Sequence, residues 1–161
     1  MNTTTAPNFT DRFPAELVSS TLFLLKRLGM SAKEQTMEGF DEAGLHPYHH
    51  AILAVLDEGQ RETQGAIADA LGYDKGQLVG LLDELEEAGL VVRQRDQADR
   101  RRQIVQMTPA GKKTLDKLRR LTQRIEDEFL APLDESERVA LHGLLLRLAQ
   151  THEPRCAPVS S

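Results

Sequence analysis

Little in these 161 residues supports a disulfide, a membrane span or an aromatic core. Cysteine occurs once, at Cys156, so no bridge can close within the chain, and that usage fits a reducing compartment. Tryptophan is absent and only 4% of residues are aromatic, so Leu and Ala must fill the core, which favours helix packed on helix. No apolar run approaches the roughly 18–20 residues that span a bilayer. Residues 1–10 are polar and lack a basic stretch followed by an apolar one, so a cytoplasmic protein with no membrane partner is expected. Net positive charge is missing too. The formal balance is −5, so any case for a nucleic-acid partner must rest on where the basic residues sit. No glycine-rich phosphate loop, nucleophile elbow or paired carboxylates stand out, and neither an enzyme nor a cofactor is expected.

What is present is helical periodicity. Residues 1–10 read as a disordered arm, and 153–161, with Pro154 and Pro158, as a flexible tail. Leu17, Leu24, Leu25 and Leu28 recur at helical steps over about 14–37, with Pro14 suited to the first turn. After the break at Gly44 to Pro47, a second helix is predicted over 47–58. Thr63 can cap a short helix over 64–71, which Gly72 ends. Asp74 then opens another helix, with Gln77 placed to complete a capping box and Leu78, Leu81, Leu82 and Leu85 on one face. Two helices joined by a tight turn make a helix-turn-helix. The period then switches: residues 90–95 and 103–107 are short β-prone runs around a charged turn, a hairpin. Two further helices follow, one begun by Thr108-Pro109 and lined by Leu115, Leu118, Leu121, Ile125 and Phe129. The other is capped by Asp134 with Glu137 three positions on. The fold class is therefore mainly α with a small two-stranded β-wing. Residues 45–108 form a winged helix-turn-helix, and 11–40 and 109–152 form flanking helices whose wide apolar faces exceed what so small a core covers.

The basic residues concentrate on the hairpin. Arg93, Arg95, Arg100, Arg101 and Arg102 fall within ten residues of a mildly acidic chain. A narrow arginine-bearing tip fits the minor groove, about 6 Å wide. Within the second helix of the pair, Lys75, Gly76, Gln77 and Gly80 occupy the exposed N-terminal positions that would meet base edges in the major groove, with Thr63 at the mouth of the first. Asp99, an acid amid arginines, is read as an ion-pair partner that orients one of them. Asp83, Glu84, Glu86 and Glu87 would be repelled by phosphate and should point away from it. The competing reading is a winged-helix dimer that binds protein, with a merely solvated wing. His46, His49 and His50 lack the i, i+4 spacing that chelates well, so a helix surface or an interface is expected rather than metal. Cys156 has no activating neighbour beyond Arg155 and reads as an incidental thiol.

At this point the sequence resembles the MarR family of bacterial regulators. The wing carries Asp99-Arg100-Arg101, then Val105, Met107, Thr108 and Gly111, in the family's spacing. Ile67-Ala68, Leu71-Gly72, Leu81, Leu85-Glu86 and Gly89-Leu90-Val91 match its helix-turn-helix. The resemblance implies a homodimer interlocked through helices at about 14–37, 109–131 and 135–151. It also implies a pseudo-palindromic double-stranded DNA operator and repression relieved by a small lipophilic or phenolic effector. That effector would bind between the dimerisation helices and the winged-helix lobe, near Met30, His46 and His49. The chain departs from the family's pattern in three respects: Gly80 stands where Arg is frequent, Gln77 and Val79 where Ser or Thr is frequent, and Glu84 where a basic residue is frequent.

Overall fold

The computed structural model describes residues 12–59 and 62–157. The expected first helix is two. A short α1, Ala15–Val18, stops at Ser19, whose hydroxyl donates to the Glu16 carbonyl at 2.8 Å. Ser20 then caps a 22-residue α2, Thr21–Glu42, its hydroxyl accepting from the Phe23 N–H. Adjacent serines break the run because their side chains compete for backbone groups and favour caps over helix interiors. Phe13 meets Phe23 edge to face at 5.1 Å and lies under Arg27 at 4.9 Å, folding α1 back on α2.

The lobe is built from α3 (Pro47–Glu58), α4 (Gln64–Leu71), α5 (Lys75–Glu87) and a hairpin of β1 (Val91–Arg95) with β2 (Gln103–Met107). Thr63 caps α4, and Gly72 closes it with φ +66°, the left-handed conformation L side chains avoid. A Cβ at Gly72 would also collide with the Arg155 guanidinium. The Asp74 carboxylate caps α5 by accepting from Gly76 and Gln77 N–H groups, a one-sided cap rather than the reciprocal box expected with Gln77. The antiparallel hairpin pairs Val91 with Met107 through Arg95 with Gln103. Beyond the two predicted strands, residues 62–63 add to its edge: Val105 N–H donates to the Glu62 carbonyl at 2.7 Å, and Thr63 bridges Ile104.

Then come α6 (Pro109–Phe129) and α7 (Glu135–His152), the latter opened by a true capping box between Asp134 and Glu137. The Thr108 hydroxyl accepts from Gly111 N–H at 3.0 Å and donates to the Gly89 carbonyl at 2.7 Å, so one side chain joins α6 to the end of α5. A Cβ on Gly111 would land on the Leu90 carbonyl and Met107, which explains the Thr108–Gly111 spacing sterically. Of the expected tail, Pro154–Cys156 forms a 3-10 turn in which Glu153 and Arg155 pair at 2.8 Å, an ion pair that draws the Glu153 carboxyl down to about 2. The rest of the tail and the expected arm fall outside the described residues.

One core serves the lobe and the adjoining parts of α2 and α6: Ile52, Leu53, Ile67, Leu78, Leu82, Leu85, Val91 and Val105 with Phe40, Leu115 and Leu118, all 2% exposed or less. The 3.6-residue spacing of Leu78, Leu82 and Leu85 turns one face of α5 inward, leaving Lys75, Gln77, Val79 and Gly80 outward. The far helices are different. Nothing in α7 is buried, and Leu22, Leu28, Val139 and Leu144 are all more than half exposed.

Candidate nucleic-acid interface

The N-termini of α4 and α5 and the base of the wing turn meet in a cleft of about 320 Å³, lined by Thr63, Gln64, Gly65, Lys75, Leu78, Val79, Arg101, Arg102 and Gln103. Thr63, Lys75, Arg101 and Arg102, singled out from the sequence, thus come together. Gln64, Gly65, Val79 and Gln103 were missed, because neither charge nor spacing marks them. Three cations beside the N-termini of two helices, whose capping by Thr63 and Asp74 leaves the first-turn dipoles pointing into the cleft, suit a phosphodiester. Gly76, Gln77 and Gly80 follow along the exposed face of α5, and a Cβ at Gly80 would meet nothing within 4 Å.

The five wing arginines are not equivalent. Asp99 accepts from Arg101 through both carboxylate oxygens, at 3.0 and 3.1 Å, and from its backbone N–H. These bonds hold the Asp99 carboxyl below its ordinary range and raise Arg101 further. Yet the Arg101 side chain stays 90% exposed, so the fork is aimed and still accessible. Arg102 pairs at 3.1 Å with Asp96, a buried acid that the sequence reading passed over. Asp96 also accepts from Ala98 N–H, while Asp96 N–H bonds the Arg102 carbonyl and closes the turn. Arg95 donates to the Arg100 carbonyl, and Arg100 projects at the tip. Arg93 stands apart from the expectation. Its guanidinium and backbone N–H bind Glu86, and it reaches Asp83, so it anchors β1 to α5 at the wing's base. That pairing lowers the Glu86 carboxyl and raises Arg93. One guanidinium thus offsets one of the two charges carried by Asp83 and Glu86 and turns both acids toward the wing's base.

The three residues expected near an effector are dispersed in role. Met30 is exposed on α2, beside Arg27. His46 caps α3 by accepting from Tyr48 N–H, and His49 is buried against Glu84. The His46 ring lies 4.4 Å from Tyr48, which lies 5.2 Å from Tyr73, and burial with Tyr48 nearby raises the Tyr73 phenol. A larger groove of about 600 Å³ opens between α2, α6 and α7, with Ile125, Phe129, Val139, Leu141 and Leu145 in its wall. Met30, His46 and His49 line neither space. Among the described residues, no three His, Cys, Asp or Glu side chains form a group suited to a metal ion, and no helix is long and apolar enough to cross a membrane.

With this geometry in view, a family model described as MarR family matches residues 43–102, from the approach to α3 through the wing turn. The transcriptional regulator HosA of Escherichia coli is 30% identical over 105 residues, covering 65% of this chain and 77% of HosA. The chain belongs to the MarR family. The solved structure of the transcriptional repressor CouR bound to a 23-mer DNA duplex superposes with a TM-score of 0.75 at 31% identity, covering 86% of this MarR-family chain and 99% of CouR. A protein of Thauera aromatica assigned to regulation of the hcr operon is 36% identical over 105 residues, 65% of this chain. The match spans 63% of the length of that relative, and equally 63% of the regulator BilQ of Clostridium symbiosum. The winged helix-turn-helix read from the sequence is the fold observed.

Proposed function

We propose that this MarR-family protein is a homodimeric, DNA-binding repressor of transcription. The observation that carries the reading is the cleft where Lys75, Arg101 and Arg102 converge on the N-termini of α4 and α5, beside an exposed Arg100. Lys75, Gly76, Gln77 and Gly80 enter the major groove, Arg100 and Arg101 the minor groove, and Thr63, Arg95 and Arg102 serve the backbone. Asp99 holds Arg101 in place, and Arg93 holds the wing. The likeness to CouR, a repressor solved on a duplex, supports this assignment. The groove between α2, α6 and α7 and the exposed leucines of α7 provide the seat for a second copy, so that two recognition helices reach half-sites about 34–36 Å apart. A small lipophilic or phenolic ligand entering between the terminal helices and the lobe, near Met30, His46 and His49, relieves repression by favouring a different spacing. This role places the protein in the cytoplasm with the DNA and gives it no catalytic activity.

The test uses a labelled duplex enriched by the wild-type protein from a randomised 30-base-pair pool. Replacing Arg100 and Arg101 with Ala weakens binding at least about tenfold and flattens the log–log salt dependence by nearly two, since each phosphate neutralised contributes about 0.9. Equal binding by both proteins refutes the wing assignment. Salt-insensitive association, or no enriched duplex, supports a protein-interaction module instead.

A further inference from the structure

We propose that His49 is a positioning residue for the recognition helix, acting through Glu84; the inference rests on the DNA-binding reading of α5. His49 sits in the first turn of α3 and is only 7% exposed. Its Nδ1 accepts the His46 backbone N–H at 3.2 Å. An atom that accepts cannot carry a proton, so the imidazole proton lies on Nε2, and Nε2 faces Glu84 Oε2 at 2.7 Å. The bonding network therefore selects a neutral ring, accepting from the chain at one end and donating to a carboxylate at the other. The link runs from the α2–α3 loop through one ring to α5.

The place where it grips α5 gives the link its purpose. Leu82 and Leu85, on either side of Glu84 in sequence, are sealed in the core, while Glu84 itself is 63% exposed. Two residues on, Glu86 is held by Arg93 from β1, with Asp83 sharing the same guanidinium. The helix is thus tied from two elements, α3 and the wing, through three of the four acids that set it apart from a basic recognition helix. Glu84 lies nine residues from Lys75, roughly 13 Å along the axis at 1.5 Å per residue. A tie there fixes how α5 is rotated, and hence which way Lys75, Gln77 and Gly80 face.

The proposal and simple electrostatics predict opposite signs for one substitution. Were Glu84 only an exposed carboxylate near DNA, deleting its charge would tighten binding. Under this proposal Glu84→Leu weakens binding to the enriched duplex about tenfold, a difference of about 1.4 kcal/mol. Glu84→Gln, whose amide oxygen still accepts from Nε2–H, stays within about twofold of wild type, and in a His49→Leu background Glu84→Leu costs nothing further, because the partner it would lose is already gone. Tighter binding by Glu84→Leu, or additive losses, overturns the proposal. Two measurements need no DNA. Long-range proton–nitrogen spectra of the wild type show His49 as the Nε2–H tautomer, and Glu84→Leu speeds amide exchange across 75–87; an Nδ1–H tautomer or unchanged exchange overturns it. If the wild type enriches no duplex, the regulator reading fails by itself, and these two measurements still decide the His49–Glu84 link.

Discussion

The lobe and the terminal helices of this chain solve the same problem to different degrees. In the lobe, α3, α4, α5 and β1 bury Ile52, Leu53, Ile67, Leu78, Leu82, Leu85 and Val91 almost completely, and α5 is tied to its neighbours by the His49 hydrogen bond and the Arg93 ion pairs. In α7 an equally leucine-rich helix buries nothing, with Leu144, Leu145, Leu146 and Leu148 all at least 39% exposed. Composition alone does not separate the two. What separates them is whether the chain supplies the opposing surface. The lobe is finished within one subunit, whereas among the described residues nothing covers the leucines of α7, the face on which the proposed dimer rests.

The sharpest way to break this contrast is to charge the uncovered face. Leu144→Glu with Leu148→Glu yields an 18.0 kDa particle in sedimentation, in place of one twice that mass. Its lobe remains folded, while affinity for a two-half-site duplex falls by about 100-fold or more as the second attachment is lost. A variant that still sediments as a dimer contradicts the division. Next in size is a change confined to the lobe. Gly111→Ala drives a methyl into the Leu90 carbonyl and Met107, lowering stability in urea by about 1–3 kcal/mol without altering the dimer. Smaller, and opposite in sign, is Gly80→Ala, which adds about 0.5–1 kcal/mol because the position is open and mid-helix. Gly80→Arg, in the same open space, tightens DNA binding and steepens its salt dependence, whereas unchanged binding places residue 80 off the duplex.

The subtlest expected effect is with acid. Burial and the Arg119 charge depress the His50 imidazole, so the folded lobe prefers it neutral. Stability is then complete above the ordinary imidazole value of about 6.5 and declines as the pH falls below it. The carboxyls of Asp57, Glu86 and Asp99 are held low by hydrogen bonds from Lys112 and Arg119, from Arg93, and from Arg101 respectively. Their contribution is full above about 4 and disappears as the pH falls through their lowered values. Urea midpoints against pH thus fall in two stages, and His50→Gln abolishes the first. A single stage in the wild type would remove His50 from the account.

How far the chain could be read in advance follows the same line between local and distant partners. The caps at Thr63, Asp74, Thr108 and Asp134 were legible because a helix end satisfies its amides within three residues, and that spacing is written along the chain. The wing was legible because a change from helical to alternating period needs no knowledge of the fold. The double break at Ser19 and Ser20 was obscured by leucines that kept helical step on both sides. Arg93 looked like its wing neighbours, since its commitment to Glu86 and Asp83 arises only once β1 lies along α5. His49 and Glu84 are 35 positions apart, and Asp96 is buried by the turn it helps to close. Such partners are chosen by proximity in space, for which the sequence carries no period.

The short pairing of residues 62–63 with β2 bears on the thermodynamics of association. A β-finger attached only at its root would sway, and each residue stilled on a duplex would forfeit conformational entropy, about 1–2 kcal/mol for the backbone alone. Here the Glu62 carbonyl and Thr63 stitch the finger to the threshold of α4 while the protein is still in solution. Much of that loss is thus met during folding, and finger and helix arrive as one rigid tool.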